Sequence, residues 1–384
     1  MSNDSIVIVS AARTAMGGFQ GCLAGATAAE LGAAAIAAAV ERAGVAPEQV
    51  DEVIMGCVLP GGLKQGPARQ AMRQAGLPDE VGATTINKLC GSGMKAAMFA
   101  HDLIRAGTID IAVAGGMESM SNAPYVLDRA RAGYRMGHAG VYDHMFLDGL
   151  EDAETGRLMG SFAQEVADEK GISRGAMDDF ALESLRRANQ AIEAGAFGDE
   201  IVAFTVKTRK GEQVVDTDEQ PGNARPEKIP HLRPAFARDG TVTAANSSSI
   251  SDGASALVMM SAAEAERRGL KPLARVSGQA TCSQHPSRFT TAPIGAIRRL
   301  LETTGWRVED VDLFEINEAF AMVTLMSIEE FSLDHARVNV HGGACALGHP
   351  IGSSGSRIIA TLLHAMQRYG KQRGIAALCM GGGE

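Results

Sequence analysis

A chain of 384 residues, 45% hydrophobic and 21% charged, has ordinary globular proportions, which excludes a disordered chain, a fibre and a coiled coil. Its 36 basic against 45 acidic residues leave a formal charge of −9, which argues against non-specific binding to nucleic acid or to an anionic membrane surface. Glycine is frequent at 45 residues and aromatics are scarce at 4%, so the expected core is aliphatic, with many tight turns and close backbone approaches.

In chain order, residues 5–10 (SIVIVS) are rich in β-branched side chains and read as a strand. Thr27-Ala28-Ala29-Glu30 is a capping box opening a helical run that Gly44 stops. Residues 52–59 read as a strand, 67–75 as a helix, 83–89 as a strand, 92–105 as a helix and 110–114 as a strand. This βαβα alternation implies a largely parallel sheet covered by helices. Residues from about 117 to 249 break the rhythm, with turn-rich stretches at 129–144 and 217–231 around a helical region at 176–194. They read as a large insertion with structure of its own, since so long a bare loop would be unusual. The rhythm resumes at a second capping box, Ser261-Ala262-Ala263-Glu264.

Several classes are set aside along the way. The apolar stretch 31–40 is too short to span a bilayer, and the N-terminus lacks a basic region followed by a long apolar one, so neither a membrane span nor a signal peptide is expected. The six cysteines (Cys22, Cys57, Cys90, Cys282, Cys345, Cys379) are scattered, with no C-x-x-C pair, so no metal and no disulfide framework is expected, and the location expected is a reducing cytoplasm. Between Phe204 and Arg238, seven basic residues (Lys207, Arg209, Lys210, Arg225, Lys228, Arg233, Arg238) outnumber five acidic ones. That run is either a landing place for an anionic ligand or a solvated loop.

An internal repeat organises the rest. Gly44–Asp51 (GVAPEQVD) aligns with Gly305–Asp312 (GWRVEDVD) at an offset of 261, each after an apolar helix and before a strand. The same offset sets Cys90-Gly91-Ser92-Gly93 against Ile351-Gly352-Ser353-Ser354, and each copy then runs through a helix to a strand ending in glycines. Two copies of one α/β unit, related by a pseudo-twofold, account for this.

Function in open parallel sheets gathers at the carboxyl ends of strands. Four chemically capable residues sit at such ends: Cys90, Asn317, His349 and Cys379. Cys90 precedes a glycine-rich turn into a helix, whose dipole would lower the thiol pKa, although most free cysteines are simply small buried hydrophobes. Cys379 shares that plain reading, and Asn317 could merely cap the following helix. Gly348 and Pro350 fix the backbone around His349 and leave it little core to pack. Gly91-Ser92-Gly93-Met94-Lys95-Ala96 also fits G-x-G-x-x-A, the turn of a nicotinamide-dependent oxidoreductase, but Asp110 starts its strand where the acidic partner should end one.

Together the segments INKLCGSGMKA, AVAGGMESMS, MGSFAQEVA, AANSSSISDGA, EINEAF, VNVHGGACALGHPIGSSGSR and ALCMGGG resemble the thiolase family along essentially the whole chain. The resemblance implies an α/β thiolase fold of two pseudo-symmetric halves stacked as five layers (αβαβα) with an inserted loop domain. The halves would be 1–268, including the coenzyme A-binding insertion at about 117–249, and 272–384. It implies an acetyl-CoA acetyltransferase that condenses two acetyl-CoA to acetoacetyl-CoA plus CoA, or cleaves 3-ketoacyl-CoA, by ping-pong chemistry through an acyl-cysteine. The alternative is an inactive thiolase-like protein that binds acyl-CoA. No cofactor is expected, coenzyme A thioesters being substrates, and a homotetramer is the expected assembly.

By motif match, Cys90 is the nucleophile, His349 activates it, and Cys379 moves the α-proton. Asn317 would hold a water that forms one oxyanion site with His349, and the amides of Cys90 and Gly381 would form the other. Ser248 matches a serine that meets pantetheine, and Phe236, Ala244, Met159, Ala319 and Phe320 match pocket positions. Phe289 is expected to line the acyl pocket. Leu158 stands where biosynthetic members usually carry histidine, and Arg225 substitutes for an arginine packed on adenine. His341 and Cys345 replace a more usual Asn and Ile. The resemblance also implies one more strand after Glu384, so the sequence is either trimmed there or has lost it.

Overall fold

The computed structural model describes residues 5–208 and 211–384, so Arg209 and Lys210 of the basic stretch lie outside the described residues. In chain order the main elements are β1 (Ile6–Thr14), α1 (Ala28–Ala43), β2 (Glu52–Gly56), α2 (Pro67–Gln74), β3 (Gly82–Ile86), α3 (Ser92–Arg105) and β4 (Ile111–Ser119). There follow α4 (Met159–Glu169), α5 (Arg174–Glu193), β5 (Ser251–Ser261), the short β6 (Ala274–Arg275) and α6 (Ala292–Thr304). The chain closes with β7 (Leu313–Ile316), α7 (Ala321–Glu330), α8 (Ser354–Arg368) and β8 (Gly374–Ala377).

The main sheet runs β6-β1-β5-β4-β2-β3. It is buried on both faces, and the strand period of two sorts its side chains. Val53 and Met55 join a core under α1 and α2, while Ile54 joins one under α3 and α8. The parallel pair β7–β8 repeats the arrangement, with Phe314 and Ile375 facing α6 while Leu313 meets Leu362 of α8. Helices α1/α2, the large sheet, α3/α8, the small sheet and α6/α7 make the five layers expected.

The repeat is visible in the geometry. Gly44 and Gly305 both end their helices in the left-handed conformation, at φ 65° and 70°. A 3₁₀ turn follows each, and then β2 or β7. Asp51 accepts the amides of Asp110 and Ile111 at 2.8 and 2.9 Å, and its counterpart Asp312 accepts those of Gln372 and Arg373 at 2.9 and 3.0 Å.

Several expectations need correction. The large sheet is mixed rather than largely parallel: β5 runs antiparallel to both β1 and β4, returning from the insertion. Strand β2 stops at Gly56, before 59, because the amides of Val58 and Leu59 turn to the buried carboxylate of Glu118 at 2.9 and 3.1 Å. Strand β3 stops at Ile86 because the Asn87 side chain captures the Leu89 amide at 2.9 Å. Strand β4 runs past 114 to Ser119, since Gly115 and Gly116 lie in its register against β5. The Thr27 box forms in full, but at Ser261 only half does: its hydroxyl takes the Glu264 amide while the Glu264 carboxylate turns to Arg267 and Arg268.

Candidate active site

The Cys90 turn is built by local bonds. Ser92 Oγ accepts the Lys88 amide at 2.8 Å and donates to the Leu89 carbonyl at 2.7 Å. Leu89 sits at φ 48°, a conformation that costs a non-glycine residue about 1–2 kcal/mol and is tolerated where the surroundings over-determine it. This strained corner delivers Cys90 to the head of α3. The amides of Gly381 and of Cys90 itself both direct at its sulfur, so the 378–383 glycine turn faces the same thiol.

The helix dipole does not bring the Cys90 thiol below its ordinary value, the lowered pKa that its place at a helix start suggests. Burial pushes its thiol up to about 11, and the two amides offset only part of that. Cys379 is fully buried, and its thiol is pushed up by burial and then by the neighbouring Cys90 charge. The two sulfurs, from opposite halves, therefore lie within electrostatic reach of each other. Each is a thiol at rest that needs a base.

His349 offers a neutral imidazole. Its backbone amide is held by the Ser249 carbonyl at 3.1 Å and by Ser251 Oγ at 3.2 Å. Its Nδ1 meets Ser354 Oγ at 2.5 Å, and the Ser354 hydroxyl donates to the Pro350 carbonyl at 3.0 Å. A hydroxyl that has given its proton away can only accept from the ring, so Nδ1 carries the hydrogen and Nε2 the lone pair. Nε2 is buried with no partner among the described residues. Burial, aided by the Arg357 charge, brings the imidazole down to about 3, so it stays neutral.

Asn317 follows β7, its amide bonded to the Ala377 carbonyl at 2.9 Å, which ties it to the strand leading to Cys379. Its Nδ2 is buried and unpartnered among the described residues. Cys379 shares one cluster with Phe289, Ala319 and Phe320, against which Met159 and Phe236 pack. Phe320 meets Phe236 and Phe289 edge-on, with centroids 6.1 and 6.3 Å apart. Ser248 bonds its amide to the Ala319 carbonyl at 2.9 Å. Leu158 is half-buried at the cap of α4, next to Met159. Ala244 and Arg225 are exposed, Arg225 just before the short turn Pro226–His231.

Composition alone does not single out the residues holding these groups: Ser354 behind His349, Glu118, which accepts the Val58, Leu59 and Gly352 amides, and Leu89. Glu118 clamps the loops of both halves and is pushed up by burial to about 7. A separate cavity of about 710 Å³ lies between α3, α8, β8 and the 271–282 segment, lined by Met94, Met98, Leu273, Leu363 and Ile375. None of Cys90, His349 and Cys379 lines it. Among the described residues no His/Cys/Asp/Glu group has the arrangement of a metal site, and no helix is long and apolar enough to cross a membrane.

Two stacked α/β modules that each bring a cysteine to one place define a class of protein suited to thioester chemistry. Residues 6–263 match the N-terminal domain of thiolase and residues 270–384 its C-terminal domain. The chain belongs to the thiolase family. It is 50% identical to the acetyl-CoA acetyltransferase of Pseudomonas aeruginosa, over 99% of this chain and 97% of that one. It is 51% identical to the acetyl-CoA acetyltransferase of Cupriavidus necator, over 98% of this chain and 97% of that one. The crystal structure of the Bacillus anthracis acetyl-CoA acetyltransferase superposes with a TM-score of 0.96 at 42% identity, covering 99% of this chain and 96% of that one.

Proposed function

We propose that the protein is an acetyl-CoA acetyltransferase that interconverts two acetyl-CoA with acetoacetyl-CoA plus CoA, and cleaves 3-ketoacyl-CoA in the reverse direction. The observation that carries this reading is the closeness of two thiols from opposite halves, Cys90 and Cys379, in a protein whose His349 keeps a buried Nε2 with no partner among the described residues.

In thiolysis, Cys90 Sγ attacks the 3-keto carbon and gives its proton to His349 Nε2. The bond between C2 and C3 breaks, leaving the acyl group on Cys90, and the departing enolate takes a proton at carbon from Cys379. A thiol held protonated by burial is suited to that delivery. Incoming CoA returns a proton to Cys379 as its sulfur attacks acyl-Cys90, and His349 re-protonates the freed thiolate. Condensation is the same path backwards. The thioester oxygens rest on the Cys90 and Gly381 amides at one stage and on His349 and an Asn317-held water at the other; a missing donor of this kind costs about 2.7–4 kcal/mol. Acyl and proton transfer move no electrons to an acceptor, so the reading needs no cofactor.

Ser248, Ala244, Phe236 and Arg225 are assigned to coenzyme A, and Met159, Leu158, Phe289, Ala319 and Phe320 to the acyl pocket. Apolar Leu158 admits longer acyl chains on this reading, so thiolysis rates across 3-ketoacyl-CoA of increasing length will set the preference. A reducing cytoplasm suits six unpaired cysteines. A homotetramer is proposed on the apolar side chains displayed by the 125–147 segment, among them Tyr125, Leu127, Val141 and Met136, which is 96% exposed. Sedimentation of a monomer would refute that assembly.

The central test uses two variants. Cys90→Ser should form no acyl-enzyme with acetyl-CoA. Cys379→Ser should acylate normally yet lose exchange of the acetyl α-proton; normal exchange would overturn the division of labour.

A further inference from the structure

Among the described residues two arginines lie fully buried, and they are bonded very differently. Arg13 gives Nε to Glu200 at 2.6 Å, both terminal nitrogens to Asp218 at 2.7 and 2.9 Å, and a further bond to the Thr14 carbonyl. Arg357 has one side-chain hydrogen bond, from Nη2 to Asn317 Oδ1 at 3.5 Å. Its Nη1 lies 3.8 Å from Glu315 Oε2, and Nε and Nη1 have no hydrogen-bond partner among the described residues. Removing a guanidinium from water costs several kcal/mol unless bonds and charges repay it. Arg13 is repaid by structure. Arg357 is not, and its single directional bond goes to the amide beside the reaction site.

That bond has a consequence fixed by chemistry alone. A guanidinium carries only donors, so it can face only the carbonyl oxygen of an amide. With Oδ1 turned to Arg357, the Nδ2 donors of Asn317 must point the other way, and Nδ2 is the buried, unpartnered atom described above. Without the guanidinium, the near-symmetric amide could flip and turn its acceptor to the water that it holds for the developing oxyanion, changing how that water is held. Arg357 lies three residues after Ser354 on α8, so one helical turn holds both His349 and Asn317. Glu315, two residues before Asn317 and buried, stands beside the guanidinium, whose charge offsets part of the burial that pushes this carboxyl up to about 8.

We infer that Arg357 is a positioning residue of the enolate-forming step: it locks the Asn317 amide with its donor side toward the water that Asn317 holds for the thioester oxygen, with Glu315 beside the guanidinium. It touches no reacting atom. The inference rests on the role proposed for Asn317 above.

The test separates the two half-reactions in the full-length enzyme. Arg357→Lys keeps the charge but loses the planar fork. It should leave acylation of Cys90 by acetyl-CoA within about threefold while slowing α-proton exchange by about tenfold to a hundredfold, short of the full loss of an oxyanion donor. In an Asn317→Ala background, adding Arg357→Lys should slow exchange no further, because the amide it positions is gone. A merely structural arginine would lower both half-reactions together and add its penalty in the double variant, and either result overturns the inference. If Arg357→Lys does not fold, Glu315→Gln, nearly isosteric, should give the same selective loss at several-fold; equal loss in both half-reactions refutes it. Should Asn317→Ala leave exchange intact, the role of Asn317 fails and the positioning role falls with it. If Asn317→Ala slows exchange while Arg357→Lys does not, only the positioning role fails.

Discussion

The imidazole of His349 is held in one tautomer by a serine that has itself been committed to a carbonyl. Ser354→Ala removes that lock without adding a wrong partner, so both neutral tautomers compete and the lone pair leaves Nε2 part of the time. Acylation by acetyl-CoA should slow by about tenfold, corresponding to about 1.4 kcal/mol, as a burst of CoA release would measure. The same burial sets a pH dependence of stability. The unfolded chain protonates this histidine near its usual 6.5, whereas the folded protein resists until about 3. Between those values the unfolded state holds more protons, so stability is lost as pH falls. Replacing His349 by Asn should flatten that acid limb in urea titrations run across the window. Cys90, Asn317 and Cys379 were legible in the sequence because each follows a strand, and His349 because Gly348 and Pro350 flank it, although the short helix Ala344–Leu347 and not a strand precedes it. Ser354 and Arg357 were not, because their roles depend on which face of α8 looks back at β7 and the His349 loop.

Helices α3 and α8 carry the two halves of the site and cross at their first turns, where glycine permits it. A Cβ on Gly93 would lie 2.5 Å from Ser356 Oγ, and one on Gly355 would lie 2.4 Å from the Met94 amide nitrogen. The contact is near-reciprocal, as a pseudo-twofold between repeated units requires. Close by, a Cβ on Gly116 of β4 would fall 2.0 Å from the Gly352 carbonyl oxygen. That neighbour is backbone of the loop following His349 and cannot swing aside. Gly116→Ala should therefore cost about 3 kcal/mol or more, and any folded fraction should lose acylation because the His349 loop is displaced. Stability within 1 kcal/mol of the parent in a denaturant titration would show that the loop yields. Helices were read closely from the sequence, with α3 found at 92–105. Strand ends were read less well, because the residues beyond β2 and β3 give their amides to the side chains of Glu118 and Asn87 instead of the ladder.

The repeat announced two modules, but not how the insertion is fastened to them or that the chain returns from it as the antiparallel β5. Alternating βα signals carry no direction, and the partner of β1 lies more than two hundred residues away. The fastening is a buried charge triad. Arg13 of β1 meets Glu200 and Asp218, both from the insertion, and its guanidinium also covers the Phe197 ring at 4.9 Å from the centroid. Asp218 in turn accepts the Met16 amide at 2.8 Å, and Thr361 of α8 reaches Glu200 at 3.2 Å, so all three parts of the molecule converge there. The attraction of both carboxylates outweighs desolvation and holds the guanidinium pKa above its usual value. Arg13→Met would fill the space yet leave two carboxylates buried without their cation, and breaking such a group costs about 3–5 kcal/mol. The loss should be smaller in a triple variant, Arg13→Met with Glu200→Gln and Asp218→Asn, where no charge is stranded. Urea titrations of the two variants decide this: equal destabilisation would mean that the stranded carboxylates are not the source of the cost, and that Arg13 fastens the insertion by its packing on Phe197.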